Sequence, residues 1–501
     1  MVVPKICGLE TEYGITHRGA EESNPITASS LLINAYLSGL QHAPGSPIAR
    51  VEWDFEDEMP GRDARGVGGG DIGYEPETHL VNAVLTNGSR YYVDHAHPEI
   101  SGPECADARS AVVWDRAADV IAQRSMEAAR ALLPEGQELV VYKNNSDGKG
   151  NSYGCHENYL MDRATPFGRI VHGATPHFVT RQIFCGAGKV GTEAAGLERF
   201  SVPFQLSQRA DFFEEEVGLE TTLKRPIVNT RDEPHADARH YRRLHVIVGD
   251  ANLAEVATFL KVGTTALVLA LVEHDLFPDD LALAAPVQAI RAVSCDLSLR
   301  RPLRLADGTS ATALDLQWEL LERCAKYCHD VGTEAVGGAV ADEVLARWET
   351  VLTQLETEPL SPATTVDWVA KYRLLDAYRS RNGCDWNDSR LQALDLQYHD
   401  LRPERSVADR LSLERLVDAE EVRWATENPP PDTRAYFRGR CLQQFASHVV
   451  AANWDSVVFD LGGETLRRVP MMEPARGTRQ HVASLFDECP TPADLIGRLQ
   501  Q

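Results

Sequence analysis

The sequence has 501 residues, of which 43% are hydrophobic and 25% are charged, so it can form one large enzyme domain with an appendage or several smaller domains. Its net charge of −24 argues against nucleic acid as a partner and against docking on an anionic membrane. Residues 1–5 lack the pattern of a signal peptide, and the apolar run at 266–272 is too short to span a bilayer. We therefore expect a cytoplasmic protein with a buried helix at this run.

Strands alternate with helices over the first 250 residues. Strands are predicted at 5–15, 89–95, 138–143 and 243–249, and helices at 106–133 and 253–274.

The regular pattern is interrupted at 40–78, where an acidic stretch is followed by the glycine-rich run at 66–70. Such a segment inside a compact domain predicts a long mobile insertion. Residues 312–425 have a helical pattern that ends at three consecutive prolines, 429–431. We expect a catalytic domain at 1–428 and a small C-terminal domain at 429–501.

Two glutamates share one face of the first predicted strand. In the segment GLETEYGI, Glu10 and Glu12 alternate with Leu9 and Thr11. Two carboxylates on one face repel each other unless water or a cation neutralises them. The pattern therefore indicates either an exposed polar strand face or a cation site.

The segment RYYVDHAHPE repeats this arrangement with other groups. Arg90, Tyr92 and Asp94 fall on one face of the predicted strand. We expect Pro98 to end the strand and Glu99 to extend from a loop.

Two later segments add imidazoles and a guanidinium. Arg243 and His245 share a face of the strand at 243–249, and His156 and Asn158 share a face if their segment is extended. A histidine in this setting is either a hydrogen-bonded core residue or a ligand.

Together these segments offer carboxylates, imidazoles and guanidiniums from several strands. Mg²⁺ takes oxygen ligands and accompanies nucleotide phosphates, and arginines bind phosphates through two parallel hydrogen bonds. The sequence therefore predicts a metal–nucleotide site, although imidazole is an unusual direct ligand of Mg²⁺.

Several segments in combination resemble the Pup ligase/depupylase family. They are GLETEYGI, SRYYVDHAHPE, KNNSDGKGNSYGCHENYL, RPIVNTRDEPHADARHYRRLHVIVGDAN and the region around Trp454. That family is a branch of the glutamine-synthetase-like carboxylate–amine ligases. The resemblance implies an α+β fold, in which helices back an antiparallel sheet that carries the active site and a small C-terminal domain packs alongside. It also implies ATP and Mg²⁺ as cofactors, and Pup and pupylated proteins as partners.

Within the family, the chain resembles the depupylase/deamidase branch more than the ligase branch. The spacing in YYVDHAHPEIS and the glycine-rich insertion at 40–78 both fit that branch. The resemblance implies that the chain deamidates the C-terminal glutamine of Pup and cleaves Pup from substrate lysines.

The resemblance also implies residue roles, with Asp94 as the catalytic residue. The implied metal ligands are Glu10, Tyr92, Glu99, His156 and His245. The implied ATP-binding residues are Arg90, Ser101, Asn158, Arg243 and Trp454. Because Pup is an acidic tail, a local basic groove is expected, for which the candidates are Arg209, Arg225 and Arg231; a structural salt-bridge role is the alternative for these arginines.

Three other functions remain open on sequence alone. They are a Pup ligase, a small-substrate ligase such as a glutamate–cysteine ligase, and a non-catalytic Pup-binding module.

Two mechanisms are also open for the catalytic residue. Asp94 either attacks the Pup γ-carbonyl or activates a water.

Overall fold

The computed structural model describes residues 3–41, 50–56, 58–66, 80–463 and 465–500. The strands in these residues are β1 Cys7–Glu12, β2 Gly14–Arg18, β3 Val51–Trp53, β4 Asn82–Val84, β5 Arg90–Asp94, β6 His97–Ser101, β7 Glu138–Tyr142, β8 Cys155–Asp162, β9 Lys189–Val190, β10 Phe204–Gln205, β11 Phe213–Gly218, β12 Arg225–Asn229, β13 Tyr241–Val246, β14 Leu303–Arg304, β15 Ser310–Ala311, β16 Val449–Ala452, β17 Ser456–Phe459 and β18 Arg467–Pro470.

The α-helices in the same residues are α1 Pro25–Gln41, α2 Ala108–Arg130, α3 Phe167–Thr180, α4 Gln182–Cys185, α5 Glu255–Glu273, α6 Pro286–Ser294, α7 Ala313–Val331, α8 Ala339–Thr357, α9 Asp367–Asn382, α10 Ser389–Tyr398, α11 Ala419–Ala425, α12 Ala435–Gln444, α13 Arg479–Glu488 and α14 Pro492–Leu499.

Ten strands form one sheet in the order β13-β8-β1-β6-β5-β4-β3-β16-β17-β18. All neighbouring strands are antiparallel except β3 and β16, which are parallel. The predicted α+β fold is confirmed. The prediction of an antiparallel sheet holds for every neighbouring pair but that one.

Helices pack against this sheet around α5, which contacts α2, α3, α8 and β8. By length and composition α5 could span a membrane, but its apolar window is completely buried inside the protein. The prediction of a buried helix is therefore confirmed.

The predicted strand at 5–15 is two strands. After Glu12 the chain leaves the large sheet, and β2 pairs instead with β7. The prediction that Glu99 extends from a loop is wrong, because Pro98 and Glu99 both lie in β6. Proline has no N–H to donate to a neighbouring strand. Pro98 fits in β6 because its partner Val93 does not bond to it: the amide of Val93 donates to the carbonyl of Val81. The carbonyl of Pro98 accepts a hydrogen bond from the amide of Tyr13.

The predicted insertion at 40–78 is partly a strand. Residues Val51–Trp53 form β3, which joins β4 to β16. The prediction of one continuous mobile loop is wrong for these residues, because strands on both sides satisfy their backbone groups. Residues 42–49, 57 and 67–78 of the insertion lie outside the described residues.

The C-terminal residues continue the sheet and add a hydrophobic core of their own. Strands β16, β17 and β18 extend the large sheet beyond β3. Phe437, Phe445 and Phe486 pack in a cluster that also includes Trp53. The domain boundary at 429 stays a prediction. Strand β3 precedes this boundary in sequence, yet it contributes Trp53 to the core that the residues after the boundary form.

Candidate active site

Strand register explains how distant segments of the sequence meet on one face. Across neighbouring strands, His156 pairs with Glu10, and Glu10 pairs with Ser101, which pairs with Arg90. Two residues further along the strands, Glu12 pairs with Glu99, and Glu99 pairs with Tyr92. The prediction had placed Glu99 in one group with Glu10 and the histidines. Because side chains alternate along a strand, these paired positions form a polar strip across the sheet.

Carboxylates collect at one part of this strip. Glu12, Asp94 and Glu99 each offer an oxygen, and these oxygens lie within 4.8 Å of one another. Burial raises the pKa of Glu99 well above its ordinary value, and the charges of Asp94, Glu12 and Glu10 raise it further. Such crowding favours a cation among these oxygens.

Asp94 itself stays ionised. Burial opposes its charge, but a hydrogen bond with His95 Nδ1, 2.9 Å from Asp94 Oδ2, and the charges of His156 and Arg90 outweigh burial and lower its pKa. An ionised aspartate can act as a base or as a nucleophile.

The histidines form a second group with Glu10. One ligand atom each from Glu10, His156 and His245 lie within 4.8 Å of one another. Burial, followed by the charge of Arg243, lowers the pKa of His245 well below its ordinary value, so its imidazole is neutral at pH 7. The predicted metal ligands therefore fall into two groups, with Glu99 apart from the histidines. Tyr92 lies opposite Glu99, and its hydroxyl is 3.4 Å from Ser101 Oγ.

Asn158 connects the histidine group to Arg243. Its Nδ2 donates to Glu10 Oε1 at 2.7 Å, and its Oδ1 accepts from Arg243 Nη1 at 2.6 Å. Arg243 also donates from Nε to the carbonyl of Glu233 at 2.8 Å. These bonds fix the guanidinium at the edge of the strip.

Two cavities open on the polar strip. The Trp454 cavity, of about 340 Å³, is lined by four of the five predicted nucleotide residues, Arg90, Ser101, Arg243 and Trp454, and by Glu10, Asp94 and Arg231 among others. The fifth, Asn158, lines a smaller hollow beside it. This hollow, of about 80 Å³, shares Glu10, Arg243 and Trp454, and it is mainly apolar.

The Arg209 cavity, of about 690 Å³, also borders Asp94 and is lined by Glu12, His156, Arg209 and Arg225 among others. Arg209 is buried, and its Nε and Nη1 atoms have no hydrogen-bond partner among the described residues. Arg225 donates to the carbonyls of Ser152 and Thr221, and burial, followed by the charge of Arg209, lowers its pKa to about 10.

The three arginines predicted for one groove do not lie together. Arg209 and Arg225 line the Arg209 cavity, whereas Arg231 lines the Trp454 cavity. Asp94 borders both cavities. A group bound in either cavity can therefore contact Asp94.

Sequence reasoning missed Glu12 as a site residue. It noted that Glu10 and Glu12 share a face but assigned a role only to Glu10, although strand alternation directs both side chains to the same site. It also missed Glu233 and His235, which line the Trp454 cavity from a loop without a periodic signal.

A sheet that carries two clusters of carboxylate and imidazole side chains, with cavities beside them, is the arrangement expected of an enzyme with a glutamine-synthetase-like fold. Residues 5–458 match the family described as Pup-ligase protein. The chain therefore belongs to the Pup ligase family.

Relatives with two different activities match the chain to different extents. It is 52% identical to the depupylase of Acidothermus cellulolyticus and 49% identical to the Pup deamidase/depupylase of Mycobacterium tuberculosis, in each case over 99% of both chains. It is 41% identical to the Pup–protein ligase of Actinosynnema mirum, over 81% of this chain and 90% of the ligase.

Solved structures of the family have the same fold. The complex between Pup and its ligase PafA matches with a TM-score of 0.78 at 31% identity, over 97% of this chain and 92% of that chain. The Pup ligase PafA in complex with ADP matches with a TM-score of 0.74 at 35% identity, over 81% of this chain and 90% of that chain.

Proposed function

We propose that this chain is a Pup deamidase/depupylase. It hydrolyses the C-terminal glutamine amide of Pup to glutamate and cleaves the isopeptide bond between Pup and substrate lysines. The observation that carries the proposal is the identity of 49–52%, over 99% of the chain, with relatives of that activity. The ligase relative matches less of the chain at lower identity, so the ligase alternative is not favoured.

ATP is the proposed nucleotide, held in the Trp454 cavity. The ADP complex of a family member supports nucleotide binding. Arg90 and Arg243 supply guanidiniums for the phosphates, with Ser101 and Asn158 beside them. The apolar hollow next to Trp454 suits the base, and Arg231 fits the phosphate end better than the Pup groove because of its position in this cavity.

Mg²⁺ is the proposed metal, and the donor chemistry fits it. The buried oxygens of Glu12 and Glu99 are the hard ligands that Mg²⁺ prefers, and their repulsion with each other and with the nearby Asp94 carboxylate favours a cation. We propose Glu10, His156 and His245 as a second group of ligands. When bound, Mg²⁺ supplies positive charge that stabilises an oxyanion.

Amide hydrolysis requires a nucleophile, a polarised carbonyl and a protonated leaving amine. Asp94 supplies the basic oxygen at the junction of the two cavities, and His95 orients its carboxylate through Oδ2. Asp94 therefore either attacks the γ-carbonyl of Pup, so that the C–N bond breaks, ammonia or the lysine amine leaves and water then opens the resulting anhydride, or takes a proton from a water that attacks the carbonyl directly.

Pup is the proposed partner in the Arg209 cavity, where Arg209 and Arg225 offer positive charge to its acidic tail. The complex of Pup with a family member supports this partner. We also propose a cytoplasmic location, which follows from dependence on ATP.

Incubation with glutamine-ended Pup, ATP and Mg²⁺ tests the function, with the mass of Pup as the readout. We expect a gain of about one dalton, because hydrolysis replaces NH₂ by OH. A parallel incubation with a Pup–protein conjugate should release intact Pup. Formation of new conjugates instead of their cleavage would favour the ligase activity and overturn the proposal.

A single turnover in ¹⁸O-water separates the two roles of Asp94. A nucleophilic Asp94 can acquire the label when water opens the anhydride at its own carboxyl, whereas a general base cannot. Label in Asp94 itself would therefore establish the nucleophile.

A further inference from the structure

Arg90 is held by aromatic rings from two separate strands. Its guanidinium carbon lies 4.0 Å from the centroid of the Tyr92 ring and 4.1 Å from that of Trp53. Both distances are within the range of cation–π attraction, and such contacts strengthen when they are shielded from water. The Arg90 side chain is 14% exposed, and its Nε donates to Asn82 Oδ1 at 3.0 Å.

Trp53 is fixed in turn by its own contacts. It is 4% exposed, and its indole Nε1 donates to Glu58 Oε1 at 2.6 Å. The same carboxylate oxygen lies 3.6 Å from Arg90 Nη1. Glu58 therefore connects the indole and the guanidinium, so that neither can reorient alone.

Trp53 also joins the two halves of the sheet. It is paired in register with Ala452 of β16, and its ring packs edge-to-face on Trp454 with the centroids 5.3 Å apart. Arg90 and Trp454 both line the Trp454 cavity, but they are far apart in sequence. Trp53 contacts both.

We propose that Trp53 is a positioning residue, which holds the Arg90 guanidinium in the orientation that binds nucleotide phosphate. The inference rests on the proposed nucleotide site. Arginine has a long side chain that loses rotamer entropy when it binds a ligand. A guanidinium already fixed against Trp53 and Tyr92 loses less of this entropy, which strengthens binding.

A double-mutant cycle on the affinity for MgADP tests this role. Trp53→Leu keeps an apolar side chain but removes the π face, and we expect MgADP to bind about tenfold more weakly. In the Arg90→Ala background the same change should cost less than about twofold, because the group that Trp53 positions is gone. Trp53→Phe keeps a ring and should lose less affinity, about threefold.

Trp114→Leu is the matched control. Trp114 is also buried and also packs edge-to-face on another indole, that of Trp424, but it lines neither cavity. We expect this variant to lower thermal stability while leaving the affinity for MgADP unchanged. If Trp53→Leu does not fold, Trp53→Phe carries the cycle, with a loss of about threefold that vanishes beside Arg90→Ala.

Equal losses from Trp53→Leu in the presence and absence of the Arg90 side chain would overturn the inference, because Trp53 would then act through general packing. Unchanged affinity in Trp53→Leu would overturn it too, and would leave the proposed function standing. Absence of MgADP binding by the unmodified protein would overturn the proposed nucleotide site and this inference with it.

Discussion

Glu99 and Glu104 are five residues apart, and their surroundings shift the pKa values of their carboxylates in opposite directions. Burial opposes the charge of Glu104, but Arg438 and Arg434 outweigh it and lower its pKa to about 2. Arg438 Nη1 and Arg434 Nε donate to Glu104 Oε1 at 3.2 and 2.7 Å. Glu99 lies instead among carboxylates that, together with burial, raise its pKa.

The difference separates a structural carboxylate from a functional one. The positive partners of Glu104, Arg434 and Arg438, belong to the C-terminal residues. These ion pairs therefore join the C-terminal residues to the first part of the chain. Glu99 is crowded by Asp94 and Glu12, and the charge that would relieve this crowding must come from a ligand. Four predictions test this contrast, in order of decreasing expected effect.

Glu104→Gln should be the most damaging change to stability. It leaves Arg434 and Arg438 without their anionic partner in a buried setting, and breaking such a pair costs about 3–5 kcal/mol of unfolding free energy. Urea denaturation measures the loss. In the control Glu488→Gln, whose pair with Arg498 is about half exposed, the change should stay within about 0.5 kcal/mol. Equal effects in the two variants would contradict the structural role.

The contribution of Glu104 should also depend on pH. Because its folded pKa of about 2 lies below the ordinary value of 4.5, its stabilisation is fully present above pH 4.5 and is lost as the pH falls towards 2. The total is about 3 kcal/mol. The difference in unfolding free energy between the unmodified protein and Glu104→Gln should shrink over this window, and a constant difference would argue against the ion pairs.

Glu99→Gln should act in the opposite direction. It removes a crowded charge, so without Mg²⁺ the variant should unfold at a temperature equal to or above that of the unmodified protein. It should bind Mg²⁺ at least about 100-fold more weakly, since even the loss of a group behind a metal ligand costs 10–100-fold. Thermal unfolding with Mg²⁺ and with a chelator measures both effects. A full Mg²⁺-dependent rise in Glu99→Gln would remove Glu99 from the ligands.

Arg225→Gln should have the smallest effect, a loss of about threefold in affinity for Pup, as for a partly exposed ion pair. The affinity of the unmodified protein should fall as salt is raised, and less steeply in the variant. Arg239→Gln is the control, because Arg239 is exposed beside Asp237 and away from both cavities. An affinity for Pup that does not change with salt would contradict the basic groove.

Local patterns predicted the parts of the site that depend on one strand. Alternation placed Arg90, Tyr92 and Asp94 on one face, and the structure has them there. Alternation could not indicate which strands are neighbours, so the separation of Glu99 from His156 became visible only from the register.

Long-range pairing lay beyond any local signal. The parallel contact between β3 and β16 joins residues about 400 positions apart, and no periodicity in either segment encodes it. The acidic and glycine-rich composition of 40–78 therefore concealed the strand that carries Trp53. Arg231 lies in a loop, where no periodicity indicates which cavity its side chain lines. Its assignment to the Pup groove therefore had no geometric basis.

The central claim is that Asp94 performs amide hydrolysis at the junction of the two cavities. Its most direct test is Asp94→Asn, measured on glutamine-ended Pup and on a Pup–protein conjugate, with the affinity for MgADP measured in parallel. We predict that both activities fall by on the order of 10³-fold or more while MgADP binding is retained, because the change removes the basic oxygen and keeps the shape. Substantial activity of the variant on either substrate, once spontaneous deamidation of the new side chain is excluded, would contradict the claim.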